Sequence, residues 1–203
     1  MSETVLRIQT ARRKKILRRI LWCILTVVIL GGLIYALVYY SYSENRDLPG
    51  TAYYIVGREH IGFRDTLPEP YNSNPPSSGA HYLAPANWGI YDYEINDKIL
   101  IHNLEHGGIW ISYRPKVSPE VVSYLKTFVD DNKNSKLVMA PRSKNDADIA
   151  IVAWGRVLKV NIQEGVLADA DKENIRTFYQ RLKNHGPEFV PDTMPGVDPK
   201  SVE

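Results

Sequence analysis

Apolar and polar positions divide the chain into one long uncharged run followed by a series of short ones. Ile20 to Tyr40 is 21 residues without a charge, which as a helix rising about 1.5 Å per residue spans a hydrocarbon core of about 30 Å. This predicts a transmembrane helix over 20–40. A cleaved signal peptide would carry an apolar stretch of roughly 7–15 residues ending in small residues. Here the run is longer and leaves through Tyr39, Tyr40 and Tyr42, so an uncleaved anchor is the expectation.

Beyond it the pattern shortens. Residues 41–50 are polar with a Pro-Gly break and read as a tether. Thr51 to Ile61 has the aromatic and β-branched content of a strand ending near Gly57. Residues 66–89 are too rich in proline for a helix or a central strand and read as a long loop, a kind that is often functional. Lys98 to Ile101 and Gly108 to Tyr113 read as strands, and the HNLEHG between them can form a turn of helix. Ser118 to Asp131 is an amphipathic helix with Ser118 as N-cap and Pro119 at its first position. Lys136 to Ala140 and Asp148 to Val160 are β-rich, the second with Gly155 as a bulge. Asp171 to Asn184 is a second helix, with Ile175, Phe178, Tyr179 and Leu182 at helical spacing and Gly186 and Pro187 closing it. The tail, 191–203, is polar and proline-rich and reads as disordered. The expected class is α+β: one transmembrane helix, then a small domain over 51–190 with a mixed or antiparallel sheet and two main helices. A thioredoxin-like arrangement of the last elements fits this order, but without the cysteines of dithiol chemistry.

Charge fixes the expected orientation. Arg7, Arg12, Arg13, Lys14, Lys15, Arg18 and Arg19 precede the apolar run, and Arg46 is the only base in the ten residues after it. The positive-inside rule places residues 1–19 in the cytoplasm and the domain outside, a single-pass arrangement at the cell membrane. The overall charge of +2 therefore belongs to topology and anionic lipid headgroups, the expected partner of this helix, and gives no reason to invoke nucleic acid. Cys23, the only cysteine, lies within the span. The domain after it has no disulfide, thiol nucleophile or thiolate ligand.

Its chemistry rests on histidine. His60, His81, His102 and His106 cluster in the first part of the domain, and any metal site there has nitrogen and oxygen ligands, suited to a divalent ion such as copper or zinc. In HNLEH the two histidines share a face in either a helix or a strand, whereas Glu105 joins them only in a helix. The same five residues match the inverted zinc-protease pattern H-x-x-E-H. Gly107 and Gly108 end any helix at once, against the long supporting helix of that family. Two readings stay open: a divalent-metal site in which His102 and His106, with Glu105 if the segment is helical, join others of these histidines, or a hydrogen-bonded turn in which the same groups satisfy backbone polar atoms. Metal-bound water or a His/Glu pair would also serve a hydrolase of the cell envelope.

The blocks PPSSGAHY (75–82), NWGIY, IHNLEHGGIWISY (101–113), AWGR (153–156) and HGPE (185–188) resemble, in order, domain-of-unknown-function family 3105. Ser77, Ala80 and Ala150-Ile151-Val152 depart from its usual residues. The resemblance implies a membrane-anchored bacterial protein of uncharacterised activity and points to His81, His102, Asn103, Glu105, His106, Gly107 and Gly108 as the site. His60 falls where a histidine of the first block would stand. His185 belongs to the closing block, where helix capping is its expected use.

Overall fold

The computed structural model describes residues 3–46, 48–133, 135–163 and 165–202; the side chains of 3–11 and 42–46, including Arg7 and Arg46 of the charge pattern, lie outside the described residues. The chain forms two units, Met1–Leu48 and Pro49–Glu203.

The first unit is one helix, α1 (Glu3–Arg46). Its Arg12–Ser41 segment is long and apolar enough to cross a membrane, and Leu21, Trp22, Val27, Ile34 and Tyr35 along it are all exposed. The helix runs past the apolar stretch at both ends, so the basic segment and the first residues of the expected tether are helical.

The second unit is α+β. Its strands are β1 (Thr51–Ala52), β2 (His60–Ile61), β3 (His81–Tyr82), β4 (Gly89–Ile90), β5 (Ile109–Tyr113), β6 (Leu137–Pro141), β7 (Ile149–Ala153) and β8 (Arg156–Val160). The helices are α2 (Asp97–Glu105), α3 (Pro119–Asp131) and α4 (Asp169–Leu182). Six strands form a mixed sheet in the order β1-β8-β7-β5-β6-β4, and β2 and β3 make a separate two-stranded pair. β4 and β5 each run parallel to β6, whereas β5/β7, β7/β8 and β1/β8 are antiparallel. The order β8-β7-β5-β6, with α3 crossing between the parallel β5 and β6, is compatible with the thioredoxin-like arrangement, although β6 and β7 are joined without a helix.

β5, β6 and β7 are buried at every position, because both faces of the sheet are covered; this is why they read as continuous apolar runs rather than alternations. The side chains still alternate. Ile109, Ile111, Leu137, Met139, Ile149 and Ile151 face α3 and α4, meeting Leu125, Phe128, Ile175 and Phe178. Trp110, Val138, Ala140, Ala150 and Val152 face α2, meeting Ile99, Leu100 and Leu104.

Several local expectations are corrected. Lys98–Ile101 is not a strand but the first turn of α2, capped by Asn96, whose Oδ1 accepts the Lys98 N–H at 3.0 Å. From Ile99 to Glu105 every residue is buried, and a helix enclosed all round shows no amphipathic period. The expected strand over 51–57 shrinks to β1. The bulge at Gly155 is the two-residue turn of the β7–β8 hairpin, since Ala153 pairs with Arg156. α3 matches its expectation, with the Ser118 Oγ accepting the Val121 N–H. α4 begins two residues early and ends with Asn184 at φ +67, not at Gly186. In the expected disordered tail, Val197 bridges to Ala86, and Pro199, in the short 3₁₀ turn Pro199–Ser201, is buried.

Candidate metal centre

Three segments distant in sequence meet at the C-terminal end of α2. The loop that ends in β3 is buried from Pro75 through His81, and β2 lies beside it in parallel register, His60 against His81. Asn103 ties the following loop to α2: its Oδ1 accepts the Ala86 N–H at 2.9 Å and its Nδ2 donates to the Ala86 carbonyl at 2.8 Å. α2 has no room to continue. Gly107, at φ +74, turns the chain, and the Gly108 N–H closes on the Asn103 carbonyl at 2.8 Å. The Lys136 ammonium, buried, donates to the His106 carbonyl at 2.7 Å, a cation at the negative end of the helix.

The helical geometry of HNLEH gives the three ionisable groups different neighbours. His81 Nδ1 lies 2.8 Å from the Gly79 carbonyl and His102 Nδ1 lies 2.7 Å from the Tyr82 carbonyl. A carbonyl oxygen only accepts, so both Nδ1 atoms carry the proton, and a neutral ring then presents a lone pair at Nε2. Those Nε2 atoms point inward. His81 Nε2 is 2.9 Å from Glu105 Oε2, and His60 Nε2 is 3.5 Å from the same oxygen. The His60 ring stacks on His102 with centroids 4.9 Å apart and meets His81 edge-on. One donor atom from each of His60, His81, His102 and Glu105 lies within 4.8 Å of every other. His81, His102 and Glu105 are buried, whereas the His60 side chain is 47% exposed.

Burial pushes His102 down to about 3, with the neighbouring His106, His81 and His60 adding to the depression and the Tyr82 carbonyl opposing it. His102 is thus a neutral donor over the whole ordinary pH range. Burial also lowers His106, against the pull of Glu188 and Glu105. The contact between His81 and Glu105 is the most telling. With the Nδ1 proton committed to the Gly79 carbonyl, Nε2 and the carboxylate oxygen meet at hydrogen-bond distance, sharing a proton that a metal ion would have to displace.

The geometry groups His81, His102 and Glu105 as the sequence expects, and adds His60, whose role spacing alone did not define. His106 stands beside this quartet, its Nε2 3.0 Å from His102 Nε2 and 3.3 Å from Glu188 Oε2. Glu188 escaped the sequence reading of the site, although it closes the HGPE block. His185 of the same block is exposed, with its Nδ1 3.0 Å from the Lys183 carbonyl, and takes no part in the quartet.

None of the curated proteins or solved structures matches the chain significantly. A family model does, over residues 67–193, a span that contains His81, His102, Glu105, His106 and Glu188 but not His60. The chain accordingly belongs to the family described as Protein of unknown function (DUF3105).

Proposed function

We propose that this is a membrane-anchored, extracytoplasmic metal-binding domain that holds one divalent cation, copper or zinc, in the quartet of His60, His81, His102 and Glu105, with His106 as an adjoining donor. The observation that carries this reading is the convergence of one donor atom from each of His60, His81, His102 and Glu105, all within 4.8 Å of one another and three of the four residues buried. Ligands about 2.1 Å from one ion stand roughly 3.0–3.4 Å apart in octahedral or tetrahedral sites, close to the shorter separations of the quartet. The carbonyls of Gly79 and Tyr82 play the part that outer partners of metal-binding imidazoles usually play, fixing tautomer and ring orientation. Imidazole nitrogens and a carboxylate oxygen, with no thiolate or thioether among them, suit a divalent ion better than a soft monovalent one. The single apolar helix and the bases before it support the anchor and its orientation.

A metal-dependent hydrolase has less support. A cavity of about 450 Å³ in this unit is lined by Phe63, Tyr71, Ile95, Asp97, Lys98 and Arg142 among others, none of them a member of the quartet. The test is elemental analysis of the detergent-solubilised full chain after purification without chelator, followed by zinc and copper titration. One equivalent is expected for the wild type, with stoichiometric binding lost in His81→Ala and Glu105→Ala. Absence of stoichiometric binding of either ion by the wild type overturns the reading.

A further inference from the structure

The HGPE block is built against the HNLEHGG turn more tightly than helix capping requires. The Asn184 N–H donates to the Gly107 carbonyl at 2.8 Å and the Glu188 N–H to the Glu105 carbonyl at 3.1 Å. Between them, a Cβ on Gly186 would come within 2.2 Å of the Glu105 carbonyl oxygen and 2.3 Å of the Gly107 nitrogen, so only glycine lets the two backbones approach this closely. The result is a fixed position for Glu188. Its carboxylate lies 3.3 Å from His106 Nε2 while its side chain remains 46% exposed. His106, only 8% exposed in its side chain, in turn lies 3.0 Å from His102 Nε2, a member of the quartet. Donor atoms therefore follow one another from solvent to the buried site: Glu188, His106, His102.

We infer that Glu188 and His106 form an outer, solvent-facing half-site for the same divalent cation, through which the ion enters and leaves the quartet by stepwise ligand exchange. The inference rests on the metal-binding reading above and extends it from storage to exchange. Two donors are too few to retain an ion against water, but an anionic oxygen at the surface captures a cation and the imidazole behind it passes it inward. His102 is the shared donor: its single Nε2 lone pair serves one ion at a time, so the outer and inner positions are used in sequence. The step is an exchange of ligands with no change in oxidation state: the proton that His106 Nε2 holds toward His102 and Glu188 in the metal-free protein leaves to water as the ion arrives and returns when the ion has passed inward.

The test measures rates and equilibrium together, on the full chain in detergent with zinc as the probe. Loading of the metal-free protein is followed by stopped flow, removal by excess chelator, and affinity by chelator competition. Glu188→Gln is expected to slow both loading and removal by about tenfold, the lower end of what loss of a steering charge causes, and to leave Kd within about twofold. His60→Ala, which removes the other exposed donor, is expected to weaken Kd. Unchanged rates in Glu188→Gln overturn the inference and leave the metal-binding reading intact, with entry on the His60 side. A loss of affinity equal to the loss in loading rate also overturns it, because Glu188 is then a resident ligand. A wild type that binds no zinc or copper removes both readings together.

Discussion

The two faces of the sheet solve opposite problems with the same strands. Toward α3 and α4 the odd-numbered positions of β5, β6 and β7 meet an almost wholly apolar layer, where Ile111, Met139, Ile151, Leu125 and Phe178 are fully or nearly fully buried. Toward α2 the even-numbered positions are mostly smaller, with Ala140, Ala150 and Val152 around Trp110, and beyond α2 the chain buries His81, His102, Asn103, Glu105 and His106. Burying ionisable groups is costly unless each is paired. One face is therefore apolar packing and the other holds buried polar groups in place, and the difference lies in which partners each buried group requires.

The largest loss is expected on the apolar face. Leu125→Ala, at a position with no exposure, is expected to cost about 2–5 kcal/mol in urea unfolding, equally with and without metal. On the site face the largest effect is linkage. Zinc or copper at a free concentration 100 times its Kd is expected to stabilise the wild type by about 2.7 kcal/mol, and Glu105→Ala by far less. Equal melting of the wild type in chelator and in saturating metal would falsify the site.

Asn103→Ala separates scaffold from ligand within that face. It leaves the Ala86 N–H and carbonyl without the partners they have, at a cost of about 1–3 kcal/mol, and this loss is expected in chelator as well as in metal. If instead the variant loses stability only when metal is present, Asn103 belongs with the ligands.

A dependence on pH follows from His102. Its folded value, about 3, lies below the ordinary 6.5, so the unfolded chain binds the proton first. The metal-free protein keeps the full contribution above pH 6.5 and loses it progressively as pH falls toward 3. Urea midpoints across that window, compared between wild type and His102→Gln, isolate the share due to this ring; parallel pH profiles would contradict it. Smallest of all is the response to reductant. Cys23, in α1, is the only cysteine, so dithiothreitol is expected to leave the melting of the second unit unchanged, and a shifted midpoint would show a cross-link between chains.

The elements legible in the sequence were those with a local signal. α3 has a serine cap, a proline at its first position and a clear period; the apolar run of α1 exceeds anything a small core needs. α2 lacked such a signal in its first half, because burial all round removes the polar face that reveals a helix. His81, His102 and Glu105 were legible through the spacing of HNLEH and the block around His81. Glu188 was not, because nothing between residues 106 and 188 says that two loops touch.

By itself the sequence determined the apolar helix and its charge bias, the absence of any thiol after Cys23, and the nitrogen and oxygen character of the donors the histidine cluster offers, since these depend on which residues are present and on spacings of a few positions. Only the tertiary structure decided that His60 comes beside His81 through the β2–β3 pairing, that two Nδ1 protons are committed to the carbonyls of Gly79 and Tyr82, and that Glu188 reaches His106 across a glycine contact. Those depend on strand register and on the distance between backbones far apart in the chain, which are set by packing of the whole unit rather than by any local run of residues.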